Sequence, residues 1–261
     1  MEHLTLPGGV TLTISDDRPV AEVRLDRPRV RNAQTMATWA SLVRAAEIIA
    51  EQPTLGVVVI RGAGEDFSAG LDLRMIRGQA PAGEGDLRQL LQSGDDEVAD
   101  AIAGFQRAFT CWRELPTVAV AAVTGNAIGA GFQLALAADL RVISHDATFT
   151  MAEARLGLVP DLGGTRRLVE IVGYPRALEI CATAGPVDAA EAGRVGLANA
   201  VIPSGDFDTG LDRYVASLLT VPAEVLRSVK TVVASAAVAD PAAQLTIERQ
   251  AQVPLLRRAM R

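Results

Sequence analysis

The sequence predicts an α/β fold built from repeated strand, turn and helix units, and three observations carry that prediction. Gly56-Val57-Val58-Val59-Ile60-Arg61-Gly62 is a β-branched run bounded by glycines, as a strand covered on both faces would be, and residues 118–123 repeat the form. Each run leads into a glycine-containing turn, residues 62–70 and 125–131, which opens into a helix-compatible stretch. From about Ala177 onward the chain is helical in character.

Taken in order, residues 10–14 and 20–25 alternate apolar with polar around Asp16-Asp17-Arg18-Pro19, which predicts a β-hairpin. Residues 35–51 place Met36, Trp39, Leu42, Val43, Ala46 and Ile49 on one stripe of a helix, a core pattern rather than a cofactor box. Residues 78–96 are rich in Gly, Ala, Gln and Asp without apolar periodicity and are expected to be a mobile excursion. A strand pair is expected over 140–150, and Gly163-Gly164-Thr165 precedes a helix at about 166–172. Short helices are expected from Asp188 or Ala189 to Arg194 and over 212–219. The last two, near 223–237 and 241–260, have the look of a separable cap.

With 261 residues, 49% of them apolar, the chain is long enough to bury a large core and is no candidate for disorder. A division into a core of residues 1–200 and a helical region of 201–261 is expected. The net charge of −6, without a basic run, argues against a general grip on nucleic acid or on an anionic membrane. Cys111 and Cys181 are far apart and outside any CxxC pattern, which indicates neither a disulfide framework nor a structural zinc and fits a reducing cytoplasm. The first ten residues carry no secretory pattern. Residues 115–138 are uncharged and long enough to span a bilayer, but Gly125, Asn126, Gly129 and Gly131 break them where a turn between strand and helix belongs.

Three patches hold the chemistry. They are residues 66–73 (Asp-Phe-Ser-Ala-Gly-Leu-Asp-Leu), residues 125–134 (Gly-Asn-Ala-Ile-Gly-Ala-Gly-Phe-Gln-Leu) and residues 152–165, from Ala152 and Glu153 to Thr165. A glycine-rich turn entering a helix leaves backbone N–H groups unpaired, and these attract oxygen carrying negative charge. Two such turns facing one carbonyl form an oxyanion hole; each turn taken alone is better explained by tight strand-to-helix packing. Gly129-Ala130-Gly131 lacks the third glycine of a dinucleotide fingerprint, and no Gly-Lys-Ser/Thr closes a phosphate loop. Ser68 lacks the first glycine of a nucleophile elbow, and only His3 and His145 are available as bases.

In order and spacing, these patches resemble the three signature regions of the crotonase (enoyl-CoA hydratase/isomerase) family. Residues 27–33 (Arg-Pro-Arg-Val-Arg-Asn-Ala) look like that family's first CoA-contacting loop, so the likeness runs from about Leu12 to about Ala200. The resemblance implies a spiral of ββα repeats followed by a C-terminal helical region, assembled as a homotrimer or homohexamer. It implies an acyl-CoA thioester as substrate, with no metal or redox cofactor. It also implies that the N–H groups of Leu71 and Ala130 hold the thioester oxygen and that Glu153 is the acid/base at the acyl chain. Arg29, Arg31, Ala69, Gly70, Asp72, Leu73 and Gly129 fall in its substrate-binding positions; Arg29, Arg31 and Lys230 are candidate phosphate partners, although isolated basic residues are more often simply solvated. The family usually continues past its last helix with a segment that helps cover CoA; residues 257–261 do not supply one.

The likeness breaks at Gln133, where hydratases of the family present the first of two glutamates. An amide hydrogen-bonds a water but cannot take its proton, which favours isomerisation, in which one carboxylate moves a proton from C2 to C4. Asp161 stands eight residues after Glu153, where dienoyl-CoA isomerases of the family carry a catalytic Asp. It reads equally as a turn residue that bonds nearby N–H groups or caps the following helix. Hydration through Glu153 alone and a non-catalytic acyl-CoA carrier are the competing readings.

Overall fold

The computed structural model describes residues 2–260. The chain opens with a meander of β1 (Glu2–Leu6), β2 (Val10–Ile14) and β3 (Val20–Leu25), paired antiparallel in sequence order. Helix α1 (Met36–Ala50) begins at Thr35, whose Oγ1 accepts from Thr38 N while the Thr38 hydroxyl accepts from Thr35 N. Then come β4 (Val57–Gly62), the short α2 (Leu87–Leu90), α3 (Asp95–Glu114), β5 (Val118–Val123), β6 (Asn126–Ile128) and α4 (Ala130–Ala137). The chain continues through β7 (Leu140–Ser144), β8 (Thr148–Thr150), α5 (Gly164–Val172), α6 (Tyr174–Thr183), β9 (Pro186–Asp188) and α7 (Ala189–Arg194). It closes with β10 (Ala200–Ile202), α8 (Phe207–Leu218), α9 (Ala223–Ala236) and α10 (Pro241–Ala259).

The large sheet has the order β1-β2-β3-β4-β5-β7-β10 and is parallel from β3 onward. A smaller sheet, β6-β8-β9, stacks the turns that leave it. Ser68 bridges Ala127, Ala127 pairs with Phe149, and Phe149 pairs with Val187, so successive turns of the chain lie in one row. This is the spiral of ββα repeats that the sequence led us to expect. The continuous apolar runs are explained by burial on both faces. Val58, Ile60, Ala119 and Ala121 point into the main core under α1, α3 and α4, while Val57, Val59, Val118 and Val120 meet Phe207, Leu211, Val215 and Leu226 from α8 and α9.

Several expectations are corrected. The strands over 140–150 do not pair with each other: β7 lies in the large sheet and β8 in the small one, because the chain turns through 145–147 and Thr148 N donates to Gly125 O. Residues 78–96 contain α2, N-capped by Asp86, and are tied back to the body. There Glu84 accepts from the Thr35 hydroxyl and Ala37 N bonds Glu84 O. Helix α8 starts five residues before the expected 212, at Phe207, whose ring seals the second core. Met36 and Val43 are only half-buried, the stripe of α1 being carried by Trp39, Leu42, Ala45, Ala46 and Ile49. Lys230 is not a phosphate partner. It is buried, and its Nζ bonds Asp139 Oδ2 at 2.7 Å and the carbonyls of Trp112 and Thr117, pinning α9 to the sheet. Residues 115–138 fold as β5, β6 and α4, and among the described residues no helix is long and apolar enough to cross a membrane.

Candidate active site

Two main-chain turns meet where the large sheet hands the chain to the small one. In the first, Gly70 O accepts from Gln34 N at 2.7 Å and Asp72 N donates to Gln34 O at 2.8 Å. Across a trans peptide the N–H points opposite to the carbonyl, so Leu71 N–H faces away from Gln34. In the second, Gly129 O accepts from Gln133 N at 2.9 Å as α4 starts, so Ala130 N–H is directed off the helix N-terminus. The turns touch through glycine. A Cβ on Gly70 would lie 2.3 Å from Ile128 O and 3.3 Å from Ala130 N, and one on Gly131 would lie 2.5 Å from Ser68 O. Positive φ at Gly70 (81°) and Gly129 (51°) makes the same demand.

The first turn is held by a buried polar network that the sequence did not announce. Ser68 Oγ donates to Asn32 O and accepts from Gln34 Nε2 and Gly70 N. Asn32 Nδ2 donates to Ala63 O and Asp66 O, and Gln34 Oε1 accepts from Trp39 Nε1. Ser68 is thus a fully buried strut with no nucleophilic role. The bonds that join Asn32 and Gln34 to residues 63–68 span 31 to 36 residues of chain, and no local pattern reveals them.

Glu153 follows β8 at the start of a single 3₁₀ turn, residues 153–156. A Cβ on Gly129 would lie 3.4 Å from its Oε1, so the carboxylate sits over the second turn. Oε1 accepts from Gln133 Nε2 at 2.7 Å, whereas Oε2 is buried without a hydrogen-bond partner. Burial pushes the Glu153 carboxyl above the ordinary range, backbone and Gln133 N–H groups pull it partly back, and the charge of Asp161 adds to the rise. The amide oxygen of Gln133 is itself filled, since Oε1 accepts from Leu162 N at 3.0 Å and Gly164 N at 3.2 Å.

Asp161 does not cap α5. The N-cap is Gly163, with no side-chain cap bond, and the Gly164 N–H donates to Gln133 Oε1. Partial burial raises the Asp161 carboxyl, but the residue is exposed, and its accessibility limits that rise. Its backbone oxygen accepts from Gln106 Nε2 at 2.7 Å, a contact absent from the sequence reading.

The other expected site residues scatter around this centre. Asp72 is buried and its carboxylate is bound to Arg74 and Arg27, with Arg74 holding it below the usual range, so it stiffens the first turn rather than reaching a ligand. Ala69 N is used by Arg31 O, and Leu73 is exposed. Arg31 is paired with Asp66, which also takes the Asn126 main-chain and side-chain N–H groups. Arg29 is exposed on the single turn Pro28–Val30. No group of three or more His, Cys, Asp or Glu among the described residues is arranged to hold a metal ion.

The family model described as enoyl-CoA hydratase/isomerase matches residues 16–259. The chain belongs to the enoyl-CoA hydratase/isomerase (crotonase) family. It is an enzyme of that family, which sets aside the non-catalytic carrier. Among its relatives, "Probable enoyl-CoA hydratase echA8" of Mycobacterium tuberculosis is 30% identical over 85% of this chain and 80% of its own length. The mitochondrial Delta(3,5)-Delta(2,4)-dienoyl-CoA isomerase of Rattus norvegicus is 33% identical over 74% of this chain, which spans 58% of that protein. A "putative enoyl-CoA hydratase" from Thermobifida fusca YX, solved in complex with acetoacetyl-CoA, superposes with a TM-score of 0.89 at 42% identity, covering 96% of both chains. The crotonase spiral of this enzyme therefore has counterparts among both hydratases and isomerases.

Proposed function

We propose that this crotonase-family enzyme shifts the double bond of an enoyl-CoA thioester. In the proposed scheme the N–H groups of Leu71 and Ala130 share the thioester oxygen, and Glu153 Oε2 removes a proton from C2. The electron pair passes to the oxygen as an enolate, and collapse of the enolate with protonation at C4 moves the double bond. No metal or redox cofactor enters it. An acyl-CoA substrate is supported by the Thermobifida fusca YX relative, solved with acetoacetyl-CoA and, at 41% identity, with CoA.

The direct hydrogen bond between Gln133 Nε2 and Glu153 Oε1 carries this reading. Hydration by two carboxylates needs a water between them, whereas here the two side chains touch and the amide oxygen is spent on the backbone. One carboxylate oxygen is left to act as base. The hydratases among the relatives favour a second reading, addition of water through Glu153 alone. Incubation with a conjugated enoyl-CoA and with its non-conjugated isomer separates the two, because only hydration adds the mass of water. Glu153→Gln is expected to lower either rate by roughly 10² to 10⁴. Equal C2 deuterium exchange by this variant and wild type in heavy water would overturn the assignment of the base.

The same reading includes a homotrimer or homohexamer in a cytoplasmic setting. Leu156, Leu158 and Val159, exposed just after Glu153, offer apolar surface for self-association. Sedimentation of the free enzyme tests it; a monomer at micromolar concentration would count against it.

A further inference from the structure

We propose that Glu84 is a positioning residue for the Leu71 N–H, and that its bond to Thr35 is a latch closing the strap of residues 73–91 onto the segment that holds the first turn. The inference rests on the oxyanion role given to Leu71 above and adds a residue that scheme does not use.

Turn and strap share one mount. Gln34 grips the turn on either side of Leu71, its N donating to Gly70 O and its O accepting from Asp72 N. The next residue, Thr35, is fully buried and takes the strap, its hydroxyl donating to Glu84 Oε2. Ala37 N reaches Glu84 O at 3.4 Å, and a Cβ on Gly85, whose φ is 86°, would lie 2.6 Å from Met36 Sδ. Glu84 and Gly85 therefore rest on the start of α1, where free N–H groups favour a carboxylate. The strap itself grows out of the turn. Asp72 and Met75 are buried, Met75 N donates to Asp72 O at 2.9 Å, and Met75 O accepts from Arg88 N at 3.3 Å. Leu71 is thus held between the strap on its C-terminal side and Gln34 across from it, and the Glu84 bond ties the two together.

Glu84 is a latch rather than a part of the helix cap. Thr38 donates its hydroxyl proton to Gly8 O at 2.7 Å and accepts from Thr35 N. Thr35 Oγ1 accepts from Thr38 N, which leaves its own proton, and that proton goes to Glu84. With Glu84 gone, it still has Thr38 Oγ1 at 3.1 Å as an acceptor, so the cap keeps its hydrogen bonds while the strap loses its side-chain tie. A strap free to lift lets residues 72–75 shift, and the Leu71 N–H turns away from the oxygen it serves. An oxyanion donor acts through its direction, so a small displacement costs rate without loss of substrate affinity.

The test uses 3-hexenoyl-CoA in heavy water with wild type, Glu84→Ala and Glu84→Gln, and reads C2 deuterium exchange, kcat and KM. Glu84→Ala is expected to lower exchange and kcat together by about tenfold, with KM within about twofold of wild type. Glu84→Gln still offers Thr35 an acceptor oxygen and should recover exchange to within about twofold of wild type. A role in stability alone would lower the melting temperature and show neither this split nor this rescue. Unchanged exchange in Glu84→Ala, a rise in KM with kcat intact, or a Gln variant as slow as the Ala variant would overturn the latch. If Glu84→Ala melts below the assay temperature, Glu84→Met, which keeps the length but is a far weaker acceptor, carries the same comparison. Absence of exchange in wild type would instead overturn the oxyanion role of Leu71, and the latch with it.

Discussion

Glu153 has one oxygen held by Gln133 and the other buried and unpartnered, and this asymmetry has consequences for pH. As a base it must be ionised, so activity falls as pH drops through its raised pKa. The acid limb of kcat/KM is expected above the roughly 4.3 of a free glutamate. Gln133→Leu removes an N–H that favours the charged form and should move that limb to still higher pH. A limb unmoved by the substitution would show that the amide does not tune the base. The same shift bears on stability. Unfolded, Glu153 ionises more readily than folded, so its charge opposes folding above the folded pKa, and the opposition fades as pH falls through it. Glu153→Gln should therefore melt no lower than wild type at pH 7 while losing proton exchange, which calorimetry on the purified variant checks. The bearing residues Leu71, Ala130, Gln133 and Glu153 were legible because they fall in contiguous patches. Gln106, Asn32 and Gln34 were not, since their partners are carbonyls and hydroxyls far along the chain.

At the scale of elements, the glycines of the two turns are packing devices as much as conformational ones. Gly131→Ala would drive a methyl into Ser68 O and part the turns that carry Leu71 and Ala130. A loss of about 1 to 3 kcal/mol in urea denaturation is expected, with a larger proportional loss of C2 exchange. Exchange that survives intact would mean that the turns need not touch. The strands with continuous apolar runs were legible, and so was the capped α1. Helix α3 was not, because its buried residues, Ala108, Phe109, Cys111 and Trp112, crowd into its second half while the first half is acidic and exposed. Strands β6, β8, β9 and β10 have three residues each, too few to show a period.

For the whole molecule, the Lys230 anchor decides how the C-terminal helices sit. Helix α10 buries no residue of its own and packs on α9, and α9 is buried only at Leu226 and Lys230. Lys230→Ala leaves Asp139 and two carbonyls without their cation in a buried setting, at a cost of roughly 3 to 5 kcal/mol. Limited proteolysis should then cut between α8 and α9 first; a protease pattern identical to wild type would show that the anchor is dispensable.

The second core has a further consequence for biosynthesis. Val57, Val59, Val118, Val120 and Val142 leave the ribosome well before Phe207, Leu211, Val215 and Leu226, the residues that cover them. Until that late helical stretch emerges, the nascent sheet presents a bare valine-rich face to its surroundings, a hazard of sticking to other chains. A fragment halted at residue 200 is accordingly expected to pellet with the insoluble fraction, whereas one extended through residue 237 should stay in the supernatant.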